Sequence, residues 1–150
     1  MMETIGKYTV MFAVAALLNA LAYFMKSDYL TDFFASNAIV LASAIFAIHA
    51  SSVGILMSQL EILKQRVYYN FSSTISEIRK SFKEALLWLM AIITSAIIIK
   101  GLSNNDCPLF DIIYIKEFLS TCIVFSVIAL IVIVIDTVNA ILICLEYSQN

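Results

Sequence analysis

Hydrophobic positions along the chain gather into four long runs, with the charged positions between them. Uncharged sequence extends between Lys7 and Lys26, Asp32 and Glu61, Glu84 and Lys100, and Glu117 and Asp136. An α-helix needs about 20 mostly apolar residues to cross a hydrocarbon core of roughly 30 Å. The pattern therefore predicts an all-α, polytopic membrane protein with four transmembrane helices in one domain, 1–150. The expected spans are 8–25, 33–60, 84–100 and 118–138. The third run is short, but the stems of Lys83 and Lys100 extend it by snorkelling. The fourth continues past Asp136 through Ile141, Leu142, Ile143 and Leu145. The first run has an alternative as a secretory signal, with Lys7 ahead of it and Ala20-Leu21-Ala22 as a cleavage site. Its length favours a retained helix.

Between the second and third runs, apolar residues persist past Glu61 as Ile62, Leu63, Val67 and Tyr68. The second helix is thus expected to reach about Tyr69, a length of about 50 Å. Asn70 through Thr74 reads as a turn, and Thr74 with Glu77 forms a capping box for the next helix. Ile75, Ile78, Phe82 and Leu86 carry a helical stripe into the third span. Residues 61–83 are accordingly expected to form a cytoplasmic helical hairpin. At the other end, Gly101 closes the third helix and the run Asn104 to Pro108 supplies turn chemistry.

Composition narrows the class further. Of 150 residues, 62% are hydrophobic and 13% charged, with only three Gly and one Pro. Soluble domains have about 45–50% apolar and about 25% charged residues, so a soluble globular or disordered chain is excluded. A net charge of −2 argues against nucleic-acid binding by bulk charge. Lys64, Arg66, Arg79, Lys80 and Lys83 lie between the second and third spans, whereas the opposite loops hold Lys26, Lys100 and Lys116. The positive-inside rule then places both termini and the hairpin in the cytoplasm, in a multi-pass inner-membrane protein. Tyr8, Tyr68, Tyr69, Trp88 and Tyr147 fall near the inner interface, and Tyr23, Tyr29 and Tyr114 near the outer. The five basic residues also offer contacts for anionic lipid or a cytoplasmic regulatory protein.

The second span is the most informative. At about 100° per residue, Ser36, Ser43, Ala47, Ala50, Gly54 and Ser58 fall in one row. Small residues in such a row let helices approach closely in lipid. Ile39, Phe46, Val53, Met57 and Leu60 form a bulky face suited to lipid. Asn37, Ser51, Ser52 and Gln59 occupy an arc beside the small row, with Leu41, Ile48 and Ile55 between them. Two readings compete for this arc. One is a helix–helix interface within or between protomers. The other is an oligomeric pore, with Asn37 and Gln59 as polar rings and Leu41, Ile48 and Ile55 as a constriction gating by dewetting.

Three further polar groups stand inside the spans. His49, the only histidine, is either a neutral imidazole bonded to a neighbour or a pore-facing, pH-sensitive group. A single His with no Cys or second His nearby makes a poor metal site, and neither metal nor cofactor is expected. Asp136 shares a face with Phe125, Ala129, Val132, Asn139 and Ala140. It reads as an interfacial carboxylate bonded to Asn139 or a lysine, or as an acidic ring at a cytoplasmic pore mouth. Asn19, among alanines, reads as a packing hydrogen bond. Cys107, Cys122 and Cys144 are placed outside, within and at the inner face of the membrane, with no C-x-x-C among them.

No nucleophile elbow, zinc-protease motif, phosphate-binding glycine loop or carboxylate pair appears, and no catalytic residue is expected. Glu61, Arg66 and Asn70 resemble the charged helix end of four-helix glutathione-using membrane enzymes, but at a different spacing. Small multidrug transporters rely on an acid in the first span, where this chain has Asn19. In layout, the four spans, the long helix from Asn37 through Gln59, Leu60 and Glu61, and the basic hairpin resemble small antiphage membrane effectors. These are the Rex-type phage-exclusion channel protein and the membrane subunit of Hailong-type systems. The resemblance implies a homo-oligomeric ion-permeable channel (a tetramer as the working guess) that depolarises the cell when a cytoplasmic partner activates or releases it. The alternative is a non-catalytic accessory or scaffold subunit of a membrane complex.

Overall fold

The computed structural model describes residues 2–25, 29–66, 71–103 and 113–149. They form four helices: α1 (Met2–Phe24), α2 (Tyr29–Arg66), α3 (Ser72–Ser103) and α4 (Ile113–Gln149). Lys26, Tyr68, Tyr69, Asn70, Cys107 and the turn at 104–108 lie outside the described residues. Three helices contain 30-residue stretches long and apolar enough to cross a membrane, Ser36–Gln65, Ser72–Gly101 and Glu117–Glu146. The apolar stretch described in α1, Gly6–Ala22, is shorter. Helix is the form expected of such a chain, because it satisfies every backbone polar group within its own segment.

α3 starts two residues before the expected cap. The amide of Ile75 donates to the Phe71 carbonyl at 3.0 Å, which makes Phe71 the boundary residue and puts Thr74 inside the first turn. A Thr74–Glu77 capping box is therefore not formed at the helix start. At its other end α3 continues through Gly101 to Ser103.

α4 is the central element, packed against α1, α2 and α3. Its buried positions Ser120, Ile123, Ser126, Val127, Leu130, Ile133 and Thr137 recur at three- and four-residue steps. Contacts fix the helix directions. Lys7 meets Asp136 and Asn19 meets Thr121, so α1 runs antiparallel to α4. Phe82 stacks beside His49, and Trp88 meets Phe125. His49 of α2 faces Thr137, and Leu56 packs in one cluster with Ala140 and Cys144, so α2 runs parallel to α4.

Close approach in the core rests on alanines. Ala38 and Ala42 of α2, Ala85 and Ala96 of α3 and Ala15 of α1 are all buried. The buried side of α2 is Ala38, Ala42, His49, Ser52, Leu56, Leu60 and Leu63. This corrects one expectation for that helix. Part of the bulky face expected to meet lipid is turned inward: Leu60 is buried, and Phe46 and Val53 pack on the core clusters. The small-residue row does not pack within the protomer, since Ser36, Ser43, Ala47, Gly54 and Ser58 are exposed and Ala50 is half-buried. A helical wheel orders residues around an axis but does not say which side meets a neighbour.

α1 is held at two polar points. Near its end, the Asn19 amide donates to the Glu117 carbonyl at 2.9 Å, to the Glu117 carboxylate at 3.1 Å and to the Thr121 hydroxyl at 2.7 Å. The Ser120 hydroxyl donates back to Asn19 Oδ1 at 3.4 Å. Near its start, Lys7 pairs with Asp136. The two points differ in weight, because Asn19 is 6% exposed whereas the Lys7 and Asp136 side chains are 43% and 58% exposed. Asn19→Leu should destabilise the protomer by about 1–3 kcal/mol and make α1 accessible to protease, whereas Lys7→Gln should cost about 0–1 kcal/mol. Thermal unfolding and limited proteolysis in detergent read both, and equal losses would contradict this ranking.

Candidate functional site

Polar chemistry collects in two places, the outward side of α2 and a layer at the level of Asp136. The outward pole of α2, opposite its buried side, carries Ser36, Ser43, Ala47, Ser51, Gly54 and Ser58. Asn37, Ile48 and Ile55 stand exposed on the flank of this pole. Leu41 and Gln59, from the same expected lining, are half-buried, and Ser52 is buried against the bundle. The exposed polar groups are partly satisfied by their own helix. The Asn37 amide donates to the Phe33 carbonyl at 3.1 Å, and the Ser51 hydroxyl to the Ala47 carbonyl at 2.9 Å. Elsewhere the exterior is bulky, as on α1 at Val10, Phe12, Val14, Leu17, Leu18 and Leu21. An added Cβ at Gly54 would meet nothing within 4 Å in the protomer.

His49 lies on the other side of α2 and is fully buried. Its ring stacks near Phe82, with centroids 6.0 Å apart and planes at 20°. Nδ1 is 3.4 Å from Thr137 Oγ1, while that hydroxyl donates to the Ile133 carbonyl at 2.9 Å. With its proton committed to the shorter backbone bond, the Thr137 oxygen is left to accept from Nδ1–H. Nε2 then carries a bare lone pair with no hydrogen-bond partner. A pore-facing imidazole on the outward side of α2 is therefore not what forms. His49 is an internal packing residue, with one polar atom left over.

Asp136 also departs from the α2 side. Its carboxylate is paired with Lys7, the lysine alternative rather than Asn139, and lines a cleft among α1, α3 and α4. The cleft has a volume of about 500 Å³. Its polar wall comprises Lys7, Tyr8, Glu77, Lys80, Glu84 and Asp136, and Met11, Ala129, Val132 and Ile133 form the apolar part. A smaller cavity of about 190 Å³ adjoins it, sharing Glu77, Ser81 and Asp136 and reaching Thr137. Beside the cleft, Tyr8 meets Trp88 at 6.0 Å, Trp88 meets Phe125 edge-on at 5.1 Å and Phe125 meets Phe12 at 5.8 Å.

Of the basic set, Lys64, Arg79, Lys80 and Lys83 are exposed, and Arg66 is the last residue of α2. Lys80 alone of these lines the cleft. Nothing in the sequence pattern groups Lys7, Tyr8, Glu77 and Glu84 into one site. A signal existed for one pair: Lys7 opens the first uncharged run and Asp136 closes the fourth, at the same expected interface with opposite charge. Glu77, Lys80, Ser81 and Glu84 are spaced to share one face of α3. Among the described residues, no group of three His, Cys, Asp or Glu is arranged to hold a metal ion. No family model, curated protein or solved structure matches the chain.

Substitutions at His49 test the unpartnered nitrogen. His49→Ala should cost about 2–5 kcal/mol by opening a void beside Phe82. The near-isosteric His49→Leu removes the orphan atom with little loss of volume, and should cost less than half as much. Thermal unfolding in detergent gives both values. Equal losses would show that Nε2 has a polar partner.

Proposed function

We propose that this chain is the protomer of a homo-oligomeric, ion-permeable channel in a cell inner membrane, with the outward side of α2 at the assembly axis. The observation that carries the proposal is the contrast between exteriors. α1 presents large aliphatic and aromatic side chains, whereas the outward pole of α2 presents serine, alanine and glycine. Lipid contacts favour neither small nor polar groups, and close helix packing favours both. The bundle core is filled by apolar side chains, so a conduit requires several copies around an axis.

The layer of Lys7, Asp136 and Glu84 marks one membrane boundary in this reading. From there to the far ends of the helices is about 20 residues, roughly 30 Å, which matches a hydrocarbon core. The positive residues of the α2–α3 connection support a cytoplasmic side for that boundary and for both termini. The axis is lined by Asn37 within the bilayer, by Ile48 at the level of this boundary beside His49, and by Ser51 and Ile55 beyond it, so the dewetting constriction of Ile48 and Ile55 sits at the cytoplasmic mouth. Asp136 faces away from this axis, so the channel mouth has no Asp136 ring. The layout likeness to antiphage effectors extends the proposal to a channel that depolarises the cell when a cytoplasmic partner acts on the basic end of α2 and α3. The back-bonded Asn37 and Ser51 favour one second reading, a non-conducting accessory subunit whose α2 side packs dry against another membrane protein.

Planar bilayers with purified protein separate the two, since the channel carries current and the accessory subunit does not. Ile48→Asn should raise conductance and the toxicity of expression, and unchanged values would remove Ile48 from the constriction. Gly54→Leu has free space in the protomer. It should leave the thermal transition of dissociated protomers unchanged while shifting detergent-solubilised mass from a closed oligomer to monomer. A retained oligomer would exclude this side of α2 from the interface.

A further inference from the structure

The cleft among α1, α3 and α4 has no ligand assigned in the channel proposal, yet five charged side chains line it: Lys7, Glu77, Lys80, Glu84 and Asp136. Its volume of about 500 Å³ falls in the range of small-molecule sites, roughly 300–1,000 Å³. Both signs of charge line it. Lys7 and Asp136 neutralise each other at the rim. Glu77, Lys80 and Glu84 make no ion pair among the described residues, so they remain available to a ligand. Lys80 and Glu84 stand one turn apart on α3, about 6 Å along the axis. That is a separation a short two-carbon linker between a phosphate and an ammonium can bridge.

Several features point to a lipid rather than a soluble zwitterion. The polar wall gives way to Met11, Ala129, Val132 and Ile133 within the same cleft. α1 packs chiefly on α4, so the space between α1 and α3 is floored by α4 rather than closed by direct helix packing. Tyr8 lines it and meets Trp88, an aromatic pair of the kind that sits at headgroup level. We propose that this cleft binds the headgroup of an amine-bearing phospholipid, with phosphate on Lys80 and primary ammonium on Glu84 or Glu77, which stand about one turn to either side of Lys80. The first part of the acyl region lies over Met11 and Val132. A primary ammonium supplies N–H donors for charge-assisted bonds to either carboxylate. A trimethylated ammonium has none.

The proposal rests on the membrane placement of the charged layer, not on conduction, and lipid retention is read independently of current. The test is native mass spectrometry of the full chain released from nanodiscs containing equal phosphatidylethanolamine, phosphatidylcholine and phosphatidylglycerol. The expected result is one retained phosphatidylethanolamine per protomer, about tenfold over phosphatidylcholine. The double variant Glu77→Gln, Glu84→Gln should bring that ratio to about one, and Lys80→Gln should lower retention of both lipids. Lys83→Gln, which does not line the cleft, should change neither. Soluble glycerophosphoethanolamine should not displace the lipid. Equal retention of the ethanolamine and choline lipids would overturn the proposal, as would preference for phosphatidylglycerol. Displacement by the soluble headgroup would overturn the lipid assignment.

Discussion

In a hydrocarbon setting, apolar side chains have little to gain by choosing one apolar neighbour over another, so helix register depends on the few polar contacts that have one right partner. Here those contacts converge on α4. Asn19 is bonded to Glu117 and Thr121, Lys7 is paired with Asp136, and His49 meets Thr137. α1 is fixed against α4 at two heights, and α2 is fixed against it at a third. The alanines of α2 and α3 then let the helices close around α4.

The same contacts place chemistry at one level. Asp136 and Thr137 are neighbours on α4 but point to different partners, Lys7 on α1 and His49 on α2. The charged cleft and the buried imidazole are thus two sides of one polar layer. On the placement proposed above, four helices run from this layer into the bilayer. α2, α3 and α4 also continue past it on the other side, whereas α1 begins near it. The extension carries Lys64, Arg79 and Lys83 outward, where a cytoplasmic partner would reach them.

Much of the fold was legible before the structure, because the uncharged runs and their charged borders report helix length directly. Asn19 was readable for a physical reason, since an amide among alanines in an apolar span needs a partner. What stayed hidden was rotation. The wheel of α2 correctly grouped the small residues, but Leu60 and Phe46 turn inward and Ser43 and Gly54 turn outward. That choice is made by α4, and no periodicity within α2 encodes it. His49 shows the same limit from the other side: its depth in the sequence was plain, but its direction was not. The cleft was hidden because its lining comes from three helices far apart in sequence, each contributing only one or a few charges.

On the proposed reading, rotation also sets which side of the protomer is available for assembly. Had the serine, alanine and glycine row of α2 been turned into the bundle, no small-residue side would be left for contact between copies. Instead, alanines on one side of α2 pack the protomer, and the serine, alanine and glycine row is left on the opposite side. Imaging the purified protein in lipid nanodiscs, with its symmetry resolved, tests this most directly. The proposal predicts a closed ring with α2 nearest the axis, Gly54 at the contact between copies and Ser51 toward the axis. A ring with α1 or α3 innermost, or a solitary protomer with the α2 row facing lipid, would contradict it.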